Sequence, residues 1–129
     1  MSRFEAMVLS GTLTPTPLSA IDWDTVGFGG IVTPFVAGSV ALSDGIFEPV
    51  AVVPNGNIAM PPLACCLNYG QELFEGMKAQ RGPDNKIRLF RIEANARRMA
   101  KGAARFMLAY PSEELYRQAV IEAVKANAE

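Results

Sequence analysis

The sequence predicts an α+β domain, with a mainly antiparallel sheet over residues 30 to 91 and two C-terminal helices on one face of it. β-Branched and aromatic residues dominate residues 27 to 60. Two further extended segments flank a Gly-Pro-Asp-Asn loop, and the last third of the chain repeats apolar residues at helical spacing. Strands followed by helices are typical of the α+β class, and 129 residues suit one domain.

Turn signals divide the extended region. Ser43-Asp44-Gly45 predicts a hairpin turn between two apolar runs, and Pro54-Asn55-Gly56-Asn57 predicts a second turn. Pro61 and Pro62 predict a short helical segment over residues 63 to 67, with proline in its first turn.

A second hairpin is predicted from residues 73 to 81 and residues 86 to 91. These two segments enclose the loop at residues 82 to 85, which contains glycine, proline and asparagine. In the second segment Ile87 and Leu89 face one way, and Arg88 and Phe90 face the other.

Two helices end the chain. The first has a glycine at Gly102, which weakens a helix interior and therefore indicates close packing there. The second has Ser112 as a candidate N-cap, followed by two glutamates that suit the helix dipole. The apolar faces comprise Ala96, Met99, Ala100, Ala103, Phe106 and Met107 in the first helix, and Leu115, Ala119, Val120, Ala123 and Val124 in the second.

Composition limits the possible functions. The chain is 50% hydrophobic and 19% charged, a balance typical of a globular protein. Residues 1 to 20 predict a flexible lead-in to a domain over residues 21 to 129. A net charge of −1 without a basic stripe argues against nucleic acid. No apolar run reaches the roughly 18 residues of a membrane span.

The chain has no histidine and only two cysteines, the adjacent Cys65 and Cys66. The lack of histidine excludes Ser-His-Asp and Cys-His catalysis within the chain. Adjacent cysteines rarely close an unstrained disulfide. They are interpreted as buried thiols in a reducing compartment, with a zinc site as the disfavoured alternative. No metal site is therefore expected.

Residues 67 to 98 read "LNYGQELFEGMKAQRGPDNKIRLFRIEANARR". This segment closely resembles the signature of the branched-chain amino acid aminotransferases, class IV pyridoxal-phosphate enzymes of fold type IV. The resemblance begins near "IDWDTVGFG" at Ile21 and continues to the end, and this entry segment is similar to that of the plant-like group. Relatives acting on D-amino acids or aminodeoxychorismate share the fold but usually lack the "LFEG" run.

The resemblance implies an N-terminal small domain and a function for the complete enzyme. That function is amino transfer between leucine, isoleucine or valine and 2-oxoglutarate, with pyridoxal 5'-phosphate as cofactor. It further implies branched-chain amino acids and 2-oxo acids as substrates, a homodimer, and neither nucleic acid nor membrane as a partner. A cytoplasmic location is expected, with plastid or mitochondrion as the alternative.

Four site residues follow from the same resemblance. Arg98 matches the residue that holds the cofactor phosphate, a role that suits the planar, permanently charged guanidinium. Phe28 and Phe74 match aromatics that line the apolar substrate pocket, and Tyr69 matches a tyrosine that reaches into the neighbouring subunit's site. Without the resemblance, Phe28 would be a loop anchor, Phe74 a core aromatic, Tyr69 a half-buried tyrosine and Arg98 a solvated charge. Gln80 departs from the family, which usually has an aromatic there.

A transaminase needs a lysine that forms a Schiff base with the cofactor and moves a proton. The resemblance places this lysine in a later, larger domain, and Lys78 in the signature does not match it. We therefore expect residues 21 to 129 to be a small domain truncated before the lysine domain, with no catalytic residue of its own. The alternative is a non-catalytic dimerisation or interaction domain derived from the same family.

Overall fold

The computed structural model describes residues 1–27 and 30–128. It contains antiparallel strands followed by two long helices, which confirms the predicted α+β class. In chain order the elements are α1 (Arg3–Met7), β1 (Val8–Ser10), a 3-10 turn (Leu18–Ala20), β2 (Phe35–Gly38), β3 (Ala51–Pro54), β4 (Gly56–Ile58), α2 (Cys65–Tyr69), β5 (Ala79–Arg81), β6 (Ile87–Leu89), α3 (Ile92–Arg105) and α4 (Glu113–Ala126).

The strands of the described residues form three separate two-stranded antiparallel ladders instead of one sheet. β1 pairs with β4, β2 with β3, and β5 with β6. The predicted turn at residues 54 to 57 is wrong, because β3 and β4 are separated by Asn55 alone. Each of these two strands finds its partner in a distant part of the chain, so the chain passes directly from one ladder to another.

The first ten residues, which lie within the predicted lead-in, contain a short helix and a strand. Ser2 caps α1, and its side chain accepts from the Glu5 backbone while the Glu5 side chain accepts from the Ser2 backbone. This reciprocal capping box satisfies two otherwise unpaired N–H groups of a five-residue helix. β1 then pairs with β4, from Val8 opposite Ile58 to Ser10 opposite Gly56.

The predicted hairpins at residues 43 to 45 and 82 to 85 are present. Gly45 has a φ of 82°, which favours glycine, and Ala41 forms an antiparallel bridge with Phe47. The second hairpin is shorter than expected, because only Ala79–Arg81 pairs with Ile87–Leu89. The short helix α2 likewise begins at Cys65 and not at the prolines.

The two predicted C-terminal helices are confirmed. α3 buries Ile92, Ala96 and Ala103, and α4 begins with Ser112 as its N-cap, whose hydroxyl accepts from the Leu115 N–H at 3.1 Å. Close packing at Gly102 is also confirmed, because a Cβ there would lie 3.1 Å from Cδ2 of Leu73. α4 packs on α3 and on the β2–β3 ladder.

Asn127 joins the end of α4 to the edge of β2. Its Oδ1 accepts from the Phe35 N–H at 3.0 Å, and its Nδ2 donates to the Phe35 carbonyl at 3.1 Å. Nδ2 also donates to the Ala123 carbonyl at 2.8 Å. The side-chain amide therefore pairs with the edge of β2 as a neighbouring strand would, and it closes the last turn of α4.

Replacing Asn127 by alanine is expected to destabilise the fold by about 1–2 kcal/mol, because three hydrogen bonds of modest net value are lost together. Urea unfolding followed by circular dichroism measures the change. Asn57→Ala is the matched control, since Asn57 is exposed in β4 and its side chain makes no hydrogen bond among the described residues. Equal losses in both variants would contradict the role given to Asn127.

Candidate functional site

The segment around Phe74 and Glu75 lies against α3. It was predicted as strand, but residues 73 to 78 have no regular structure in the described chain. Contacts on either side of Glu75 help to hold it in place: the Leu73 side chain packs over Gly102, and the Asn95 amide donates to the Gly76 carbonyl at 3.1 Å. Side-chain contacts with α3 take the place of the strand pairing that was expected here.

Glu75 and Arg98 form a bidentate ion pair. Arg98 Nε donates to Glu75 Oε1 at 2.5 Å, and Arg98 Nη2 donates to Oε2 at 2.6 Å. Asn95 Nδ2 donates to the same Oε2 at 3.0 Å. The Glu75 side chain is only 8% exposed, whereas that of Arg98 is 67% exposed. A largely covered carboxylate thus holds one edge of a guanidinium whose side chain remains open to solvent.

Each charge of this pair stabilises the ionised form of the other. The hydrogen bond from Arg98 lowers the pKa of Glu75 against the opposing effect of burial, and the Asn95 hydrogen bond lowers it further. The same pairing raises the pKa of Arg98. The pKa of Tyr116 on α4 is also raised. Partial burial is the largest cause, and the Glu75 carboxylate is the second. Both Glu75 and Arg98 are therefore charged at neutral pH.

Arg97 lies on a different side of α3. Its Nη1 is 3.4 Å from Oε2 of Glu113, and the two side chains are 59% and 52% exposed. Exposed pairs of this kind contribute little to stability. The adjacent arginines therefore differ in their partners: Arg97 pairs with an exposed carboxylate, and Arg98 pairs with a largely covered one.

The predicted substrate residues are not enclosed. Phe74 is 88% exposed and Tyr69 is 83% exposed. Phe74 adjoins Glu75 in the chain and hence the Arg98 ion pair, while Tyr69 ends α2. Phe28 lies outside the described residues. Phe74 is thus linked to Arg98 only through its chain neighbour Glu75, and the described residues build no closed pocket around Phe74 or Tyr69.

Two apolar grooves lie elsewhere, with volumes of about 990 and 640 Å³. Leu18, Trp23, Thr33, Phe35 and Asn127 contribute to both. Neither groove is lined by Tyr69, Phe74 or Arg98.

The described residues fit the phosphate of pyridoxal phosphate but not its aldehyde. Arg98 offers an exposed, oriented cation. In contrast, all four lysines are exposed: Lys78, Lys86, Lys101 and Lys125. A lysine that attacks a carbonyl requires a desolvating pocket or a neighbouring cation to lower its pKa, and no described lysine lies in such a pocket.

The two cysteines are the first residues of α2. Cys65 is exposed and Cys66 is partly exposed, so the expectation of two buried thiols is wrong. The reason is that α2 is a short surface helix without a buried face. Over residues 1–27 and 30–128, no three metal-ligating side chains cluster, and none of the helices combines the length and apolar character of a membrane crossing.

Comparison with known proteins identifies the relatives of the chain. No family model matches it. The chain is 44% identical over 120 residues to branched-chain-amino-acid aminotransferase 5, chloroplastic, of Arabidopsis thaliana, and 47% identical over 119 residues to aminotransferase 3, chloroplastic, of the same plant. The chain is homologous to the branched-chain-amino-acid aminotransferases. These two alignments include 93% and 92% of this chain.

A third relative, branched-chain-amino-acid aminotransferase 1, mitochondrial, of Arabidopsis thaliana, is 44% identical over 107 residues. The chain spans only 28–29% of the length of these three relatives. These alignments confirm the resemblance to branched-chain-amino-acid aminotransferases that the motif indicated. They cover a limited part of such an enzyme.

Proposed function

We propose that the chain is the small-domain part of a pyridoxal-phosphate-dependent branched-chain-amino-acid aminotransferase. In this proposal it supplies a cofactor-phosphate ligand and part of the substrate wall. The observation that carries the proposal is the state of Arg98, whose side chain is 67% exposed while the Glu75 carboxylate holds one edge of its guanidinium. The carboxylate partner, Glu75, follows the exposed aromatic Phe74 in a chain homologous to those enzymes.

Arg98 would hold the cofactor phosphate through its outer edge, defined here as Nη1 and the Nη2 hydrogen that points away from Glu75. Guanidinium and phosphate pair through two parallel hydrogen bonds, and the guanidinium stays charged at every relevant pH. When bound, pyridoxal phosphate supplies the electron sink that makes amino transfer possible. We assign the Schiff-base lysine to residues other than the four lysines described above.

The substrate wall would consist of Phe74 and Phe28, with Tyr69 supplied across a homodimer. The Phe74 ring is almost fully exposed, so its face is available to a branched aliphatic side chain. Such contacts stabilise the complex by about 25 cal/mol per Å² of apolar area removed from water. Branched-chain amino acids and their 2-oxo acids are accordingly the proposed substrates.

The location of the relatives supports an organellar assignment. The names of the three relatives place two of them in the chloroplast and one in the mitochondrion. We propose a plastid or mitochondrial site of action for this protein, which was the alternative to the cytoplasmic expectation.

The test is the activity of the protein encoded by the complete reading frame that contains these residues, assayed with pyridoxal phosphate and 2-oxoglutarate. We expect turnover of leucine, isoleucine and valine. Phe74→Ala should lower kcat/KM for leucine by about tenfold or more, as loss of one aromatic contact predicts. Phe90→Ala is the matched control, since Phe90 is 82% exposed and has no assigned role. A preference for D-alanine or aminodeoxychorismate would contradict the assignment.

The exposed aromatics also favour a second candidate function, a non-catalytic interaction domain. Tyr69 and Phe74 are both more than 80% exposed, and exposed aromatic side chains are ones that a binding partner could cover. This candidate predicts association with another protein and no transaminase activity from the complete reading frame, so the same assay separates the two functions.

A further inference from the structure

Glu75 is a nearly buried charge for which the proposed function offers no role. We propose that Glu75, anchored by Asn95, is a positioning residue that orients Arg98 so that its outer edge faces a phosphate-type oxyanion. This inference rests on the proposed function, since it takes Arg98 to be the phosphate ligand. Glu75 itself would not touch the phosphate.

The hydrogen bonds around the carboxylate support a fixed orientation. Two donors come from Arg98, at 2.5 and 2.6 Å, and a third comes from Asn95 at 3.0 Å. Asn95 also donates to the Gly76 carbonyl at 3.1 Å, so one amide holds both the glutamate and the backbone that follows it. The carboxylate therefore cannot turn without giving up several contacts.

Burial makes the pair asymmetric. The Glu75 side chain is 8% exposed and that of Arg98 is 67% exposed, so the guanidinium lies between the carboxylate and solvent. A free arginine side chain loses rotamer entropy when it is fixed. If that ordering takes place during folding, it no longer opposes the binding of an anion.

Two effects of Glu75 on an oxyanion oppose each other. Its negative charge weakens attraction to a second anion, whereas its hold on Nε and Nη2 fixes the direction of the remaining donors. Glu75→Gln removes the charge and can accept only part of the same hydrogen bonds, since an amide has one acceptor oxygen. Charge repulsion alone predicts tighter phosphate binding in this variant, and positioning predicts weaker binding.

The Arg97–Glu113 pair provides an internal control, because Arg97 lies beside Arg98 on α3. It has one contact at 3.4 Å, and both partners are more than half exposed. Glu113→Gln removes the same charge from a neighbouring arginine without disturbing an anchored carboxylate. Any change in phosphate binding caused by net charge alone would therefore appear in both glutamine variants.

The experiment follows the Nε–H signal of Arg98 in the arginine-labelled chain by NMR during a titration with inorganic phosphate. In the unmodified chain we expect a slowly exchanging signal that phosphate shifts saturably. Glu75→Gln should broaden this signal and weaken phosphate binding by about three- to tenfold, the cost of ordering one long side chain. Asn95→Ala should have a smaller effect in the same direction, and Glu113→Gln should have none.

The outcomes separate this inference from the proposed function. Unchanged or tighter phosphate binding in Glu75→Gln would show that the carboxylate only competes for Arg98, which overturns the inference and leaves the phosphate role intact. An Arg98 signal that never responds to phosphate in the unmodified chain would overturn both. If Glu75→Gln does not fold, the folded Asn95→Ala variant decides, and phosphate binding equal to that of the unmodified chain would overturn the inference.

Discussion

Replacing Gly56 by alanine is expected to destabilise the protein by about 3 kcal/mol or more, the upper range for overpacking a buried site. Gly56 is the first residue of β4 and is buried opposite Ser10 of β1. A Cβ at this position would overlap the Leu9 carbonyl oxygen and lie 2.6 Å from its carbon. Because the obstructing atoms are backbone, no side-chain rotation can relieve the overlap, and the β1–β4 ladder must separate.

Urea unfolding and the amide exchange of residues 8 to 10 measure this effect. Gly30→Ala is the matched control, since Gly30 is exposed and an added Cβ would meet no heavy atom of the described residues within 4 Å. We expect Gly30→Ala to change the free energy of unfolding very little. A Gly56→Ala protein as stable as this control would show that β1 does not pair with β4 as described.

Removing the Arg98 guanidinium is expected to weaken the binding of pyridoxal phosphate by about 10- to 150-fold, which corresponds to about 1.5–3 kcal/mol for a hydrogen bond between charged groups. The single Arg98→Ala variant is a poor test, because it leaves the nearly buried Glu75 carboxylate without its partner. The comparison is therefore between Glu75→Gln and the double variant Glu75→Gln/Arg98→Ala. Calorimetric titration with pyridoxal phosphate measures the difference.

Arg97→Ala controls for the loss of one positive charge from α3. Its guanidinium makes a single exposed contact with Glu113, so both cofactor affinity and stability should change little. Comparable losses of cofactor affinity after removal of Arg97 and of Arg98 would mean that the phosphate role belongs to neither residue in particular.

The sequence predicted the elements whose signals are local. Helical spacing located α3 and α4, Ser112 marked the start of α4, and Gly102 correctly indicated close packing, which the Leu73 side chain provides. The turn at residues 43 to 45 was likewise predictable, since its glycine adopts a positive φ. For the two helices and the turn, the determining residues lie within a few positions of one another.

Features that depend on distant partners were not predictable. Residues 54 to 57 have turn chemistry, yet they connect two strands because β2 and β1 offer pairing partners to either side of Asn55. No local sequence pattern indicated a function for Glu75. Its proposed role depends on Arg98, 23 residues later, and on the covering of its side chain that only the fold creates. A glutamate three residues before Lys78 in an extended segment has no distinguishing local pattern.

We propose that this chain carries a phosphate ligand for pyridoxal phosphate but no lysine that bonds to it covalently. The most direct measurement incubates residues 1 to 129 with pyridoxal phosphate, leucine and 2-oxoglutarate and follows both amino transfer and covalent attachment of the cofactor to lysine. We predict reversible cofactor binding without transfer and without specific attachment, because all four lysines are exposed to water. Amino transfer by this chain that disappears in Lys78→Ala would contradict the claim.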